Sequence, residues 1–134
     1  MTRFFWRVAI LSALSFAALA QEVRHPFKSF EVVDQDVKNG PVFAFSEGYA
    51  TSESPIMITA TGRKLTNADR TNRVDLQKHW LSVNVPDSFE LQDRSLVKCG
   101  LKRKGEYPFC DLYVFIDPAT NANHEYYIYV GNWP

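Results

Sequence analysis

The residues that carry most metal and covalent chemistry are scarce in this chain, which has three histidines (His25, His79, His124) and two cysteines (Cys99, Cys110). No histidine has a cysteine or a second histidine at metal-ligand spacing, which argues against a zinc site, and no metal or cofactor is expected. There is no Gly-x-Ser-x-Gly nucleophile elbow and no glycine-rich phosphate cradle. An Asn-x-Ser/Thr sequon is also missing, so N-glycosylation is not expected. With no catalytic motif identified, the chain is read as a non-enzyme. An excess of one charge is lacking too, since fifteen basic residues face fifteen acidic ones.

What is present begins with a tripartite N-terminus: Arg3 and Arg7, an apolar run from Val8 to Leu19, and small residues at Ala18 and Ala20. This is the pattern of a secretory signal peptide cleaved after Ala20. The run falls short of the ~20 apolar residues a spanning helix needs, and no later stretch is longer, so no membrane span is expected and the mature part should be soluble. Removing residues 1–20 takes away Arg3 and Arg7, leaving thirteen basic against fifteen acidic residues, a formal charge of −2. That balance argues against general nucleic-acid binding, which needs a basic excess. The remaining 114 of 134 residues suit one domain with one core.

Residues 21–39 are weakly patterned and read as an N-terminal arm with a first strand among Phe27, Phe30, Val32 and Val33; a β-rich globular domain then fills 40–134. Asn39-Gly40-Pro41 is a turn signal, followed by strands at Val42 to Phe45 and Ile56 to Thr61, where β-branched and aromatic residues gather. Between Lys64 and Lys78 a short helix and an exposed loop fit equally well, Asp69 and Arg73 having the i, i+4 spacing of a helix face. From Trp80, Leu81, Val83 and Val85 alternate with Ser82 and Asn84, the period of a half-buried strand, which Pro86-Asp87 ends. Phe89 and Leu91 extend it briefly. Three more strands are expected at Leu96 to Lys102, Phe109 to Ile116 and Glu125 to Val130. The second of these is apolar on both faces, as in a central strand. The expected architecture is mainly β, a small antiparallel β-sandwich or open barrel of about six strands with at most one short helix, and α+β as the alternative.

Two cysteines in an exported chain pair with each other. Cys99 and Cys110 flank Gly105, so the simplest geometry is a stapled hairpin with the cysteines opposite each other, closed by Lys104-Gly105 or by the four residues Arg103 to Glu106. The tip carries Lys102, Arg103 and Lys104, either a basic finger for an acidic partner or a solvated turn that discourages edge-to-edge pairing. In the last strand Tyr127 and Tyr129 share a face opposite Tyr126, Ile128 and Val130, and Trp133 follows. These aromatics suit either a contact surface or core packing.

The candidate binding residues are therefore Lys102, Arg103, Lys104, Tyr127, Tyr129 and Trp133. The expected function is that of a small secreted binding protein acting by protein–protein contact, a microbial effector or virulence protein directed at a host protein, with carbohydrate as a second partner class. In size and export the chain resembles the small β-sandwich effectors of plant-pathogenic fungi. In the best-known of those the paired cysteines lie several strands apart, whereas here they close a local hairpin, and the family is not assigned. Two alternatives come from other classes. One is a small secreted ribonuclease-like hydrolase using His124-Glu125 with the lysine cluster, and the other is a periplasmic or envelope-associated structural protein.

Overall fold

The computed structural model describes residues 25–33 and 42–134; the expected signal peptide, residues 21–24 and 34–39 of the expected arm, and the expected turn at Asn39-Gly40-Pro41 lie outside the described residues. The elements are β1 (Phe30–Val33), β2 (Val42–Phe45), β3 (Ile56–Ala60), a 3-10 turn (Asn67–Asn72), α1 (Arg73–Asn84), β4 (Glu90–Lys98), β5 (Phe109–Asp117) and β6 (Ala122–Tyr129). Among the described residues the protein is mainly β, with six strands and one short helix.

All six strands belong to one mixed sheet in the order β1-β2-β3-β6-β5-β4. Two antiparallel meanders, β1-β2-β3 and β4-β5-β6, meet where Ile56 and Met57 run parallel to Ile128 and Tyr129. β5 is an interior strand with a neighbour on each side, and side chains on both of its faces are covered, Tyr113 in the cluster with α1 and Cys110 in the disulfide cluster. α1 covers one face. There Phe43, Phe45, Ile56, Ile58, Tyr113, Tyr126 and Ile128 pack with Leu76, Trp80, Leu81 and Val85. Phe27 and Tyr126 both set their rings against the Trp80 indole, at 5.0 and 6.1 Å between centroids. On the other face Tyr129 is buried with the Cys99–Cys110 disulfide, against Met57, Val97, Leu101 and Tyr127.

The stretch from Trp80 to Val85 corrects the sequence reading, because it is the end of α1 and not a strand. Leu76, Gln77, Trp80 and Leu81 are the buried residues of the helix, a spacing of one helical stripe, while Val83 is 57% exposed. The apparent alternation spans only six residues, too few to separate a 100° from a 180° repeat. Val85 adopts an extended conformation at the helix end, as expected before Pro86, whose ring disfavours helical geometry in the preceding residue. The i, i+4 pairing of Asp69 with Arg73 does not form. Asp69 instead takes Arg63 in a two-pronged pair at 2.7 and 2.9 Å, and its Oδ2 accepts the Thr66 backbone N–H at 2.7 Å.

The cysteines pair, but not opposite each other. Cys110 faces Val97 across the ladder, and Cys99 donates its N–H to the Pro108 carbonyl; the Cα atoms are 5.7 Å apart. The connection runs over 100–108, longer than the four-residue loop expected. Gly100 and Leu101 donate their N–H groups to the Ser52 carbonyl in the β2–β3 connection, at 2.8 and 3.2 Å, which draws the chain off the ladder. Arg103 to Glu106 survives as a turn at the loop tip, with Glu106 N–H bonded to the Arg103 carbonyl and Gly105 at φ 78°, a backbone angle that glycine tolerates without strain.

Among the described residues no helix is long and apolar enough to cross a membrane.

Candidate functional site

The C-terminal segment Gly131–Trp133 separates two clefts. The first, of about 590 Å³, lies along the exposed edge strand β4 and is lined by Arg73 from α1, Arg94 and Leu96 from β4, Asp111 from β5, and Tyr107, Phe109 and Trp133. The second, of about 550 Å³, lies between the chain leaving β3 (Arg63, Lys64, Leu65) and the disulfide loop (Arg103, Lys104, Glu106), and Asn132 and Trp133 also line it. Gly131 borders both. A Cβ there would collide with the Tyr107 carbonyl oxygen and stand 2.5 Å from the Tyr129 hydroxyl, so only glycine lets the segment pass beneath the loop.

A buried polar cluster supports the first cleft. The Gln77 Nε2 donates to Asp111 Oδ2 at 2.7 Å, and the Tyr113 hydroxyl donates to Gln77 Oε1 at 2.6 Å. Arg94 reaches the same Asp111 oxygen at 3.2 Å and lies over the Tyr113 ring at 5.6 Å. Asp111, 5% exposed, therefore holds both the guanidinium at the cleft and the helix behind it. Burial raises the Tyr113 phenol above its usual pKa, Asp111 adds to the rise, and Arg94 opposes it. The hydroxyl thus remains a proton donor to Gln77.

In the second cleft Arg63 and Arg103 are held by carboxylates, Asp69 and Glu106 respectively, the latter at 3.5 Å. Arg63 above all holds the Asp69 carboxyl down at about 2, and the Thr66 backbone bond adds to this against the effect of burial. Lys64, Arg73 and Lys104 have no carboxylate partner among the described residues. Six cations therefore border the two clefts, with Asp111 and Glu106 as the acids on their walls.

The residues singled out from the sequence end up in different environments. Arg103, Lys104 and Trp133 meet at the second cleft, while Lys102 is exposed on the same loop. Tyr129 is fully buried under the disulfide, so it packs the core and offers no contact surface; Tyr127, beside it on the same face, is half-buried. Burial, reinforced by Glu106, raises the Tyr129 phenol. His124 stacks on Phe89 at 4.7 Å between centroids, and Glu125 points to the opposite face, as consecutive strand residues do. Nor does the fold bring the lysine cluster to His124: the disulfide loop joins β5 at the end paired with Tyr129, five residues along β6 from His124, roughly 16 Å at strand spacing. Among the described residues no group of three His, Cys, Asp or Glu side chains could hold a metal ion.

Sequence reasoning missed Arg63, Lys64, Arg73, Arg94 and Asp111. Only Asp111 left a local signal, as the one charge inside the apolar run Phe109–Ile116, where an acid must find buried partners. The arginines are scattered along the chain, and nothing local marks them as neighbours.

No family model, no curated protein and no solved structure matches this chain.

Proposed function

We propose that this is an extracytoplasmic binding protein that acts by contacting another macromolecule through the face on either side of Gly131–Trp133, and that it is secreted toward a host protein. The observation that carries this reading is the composition of the first cleft. Tyr107, Leu96 and Phe109 are 74%, 64% and 38% exposed, and they lie beside Arg73, Arg94 and Trp133. Exposed aromatics with arginine and tryptophan are the residue types that dominate binding energy at protein interfaces. The arginine is braced by buried groups, so less side-chain freedom is lost on contact. The signal-like N-terminus and the Cys99–Cys110 disulfide, which is consistent with an oxidising compartment, support export.

The test is affinity capture with the oxidised domain from Gln21 onward, comparing wild type with Tyr107→Ala and Arg94→Ala. Both are expected to lose the captured partner, Tyr107→Ala with an unchanged melting temperature. Equal capture by all three proteins would sink the assignment of this face.

A further inference from the structure

Resting on that binding reading, we infer that the second cleft takes a carboxylate-rich polypeptide segment of the partner, a short run of Asp or Glu next to apolar residues. The molecule without residues 1–20 carries a formal charge of −2, yet this cleft brings Arg63, Lys64, Arg103 and Lys104 together with only two acids to balance them, Asp69 on Arg63 and Glu106 on Arg103. Like charges gathered in one place repel, and an anion between them relieves that cost. Lys64 and Lys104 have no carboxylate partner among the described residues, which leaves both ammonium groups open to a ligand. Arg63 is already oriented by its two-pronged pair with Asp69 and a bond to the Lys64 carbonyl at 3.1 Å, so its remaining N–H groups are presented in a fixed geometry.

Polypeptide is favoured over a uniformly charged polyanion on two grounds. A net negative protein repels a long polyanion at distance, and the adjoining cleft presents Tyr107, Leu96 and Phe109, which need apolar side chains opposite them.

The experiment titrates a hexaglutamate peptide into the oxidised domain from Gln21 onward, followed by calorimetry. Wild type should bind, and binding should weaken about tenfold or more when salt rises from roughly 50 to 300 mM. Lys64→Glu/Lys104→Glu should lose binding while its melting temperature stays within about 2 °C of wild type. No binding by wild type, or equal binding by the charge-reversed variant, overturns the inference; so does a heparin-type sulfated oligosaccharide that binds this cleft more tightly than hexaglutamate. In affinity capture, a charge-reversed domain that still retains the partner lost by Tyr107→Ala would overturn the acidic-segment inference and leave the binding reading standing.

Discussion

Gln77 and Asp111 are 34 residues apart in the chain, yet their buried side chains meet at 2.7 Å and tie α1 to the middle of the β4-β5-β6 meander. The same amide accepts from Tyr113 at 2.6 Å, so one glutamine satisfies two buried polar groups of β5. Arg94, at the mouth of the first cleft, uses the Asp111 oxygen that Gln77 also binds.

Gln77→Ala should therefore cost about 2–4 kcal/mol, combining a cavity with two buried groups left short of partners. Gln77→Met keeps most of the volume, so the part of the loss it shares with alanine measures the hydrogen bonds alone. Urea unfolding gives both values, and a loss below about 1 kcal/mol for each would mean that the cluster does not hold the helix.

Asp69 should make stability depend on acid. Its carboxyl is held at about 2 by Arg63 and Thr66, against about 3.9 in an unfolded chain. Between those values the unfolded state binds more protons, so the contribution is fully present above about pH 4 and is lost as pH falls toward 2. Melting temperatures of wild type and Asp69→Asn should differ at about pH 5 and converge near pH 2. A gap that stays constant across that range would rule out this linkage.

The helical assignment of Trp80 to Asn84 makes opposite predictions from a strand for neighbouring valine and leucine. Val83→Asp should change stability by no more than about 0.5 kcal/mol, because the side chain faces solvent, whereas Leu81→Ala should cost about 2–5 kcal/mol. In a strand both residues would point to the same face, and the two losses would be similar.

Replacing both cysteines with serine should cost less than about 3 kcal/mol, since the bond closes a short loop, and the sheet should still form. The 100–108 loop would lose its anchor at Cys99. Limited trypsin digestion should then cut after Lys102, Arg103 or Lys104 sooner than in the oxidised protein, and identical digestion of the two would show that the loop is held by Ser52 alone.

Much of the fold can be read locally. The alternation of Tyr126 and Ile128 with Tyr127 and Tyr129 places each on its correct face, and the two apolar sides of Phe109 to Ile116 mark an interior strand. The alternation at Leu81 to Val85 misleads because a few residues cannot separate the two periods, and the rest of the helix adds little periodic signal, since Gln77 is polar yet buried and Val83 is apolar yet exposed. The site was less legible. The run Lys102 to Lys104 is visible as basic, but its neighbours Arg63 and Lys64 precede it by about forty residues, and Tyr129 looks like a surface aromatic until the disulfide loop is laid over it.

The amino-acid sequence alone determined how the residues of β6 alternate between the two faces, that Cys99 and Cys110 are the two thiols available to pair, and that neither charge dominates. These follow from local periodicity and composition. Tertiary structure decided that β3 runs parallel to β6, that the loop leaves its ladder at Gly100 to meet Ser52, and that the cations gather around Gly131–Trp133. Each of these depends on contacts between segments far apart in the chain, whose energies no local pattern encodes.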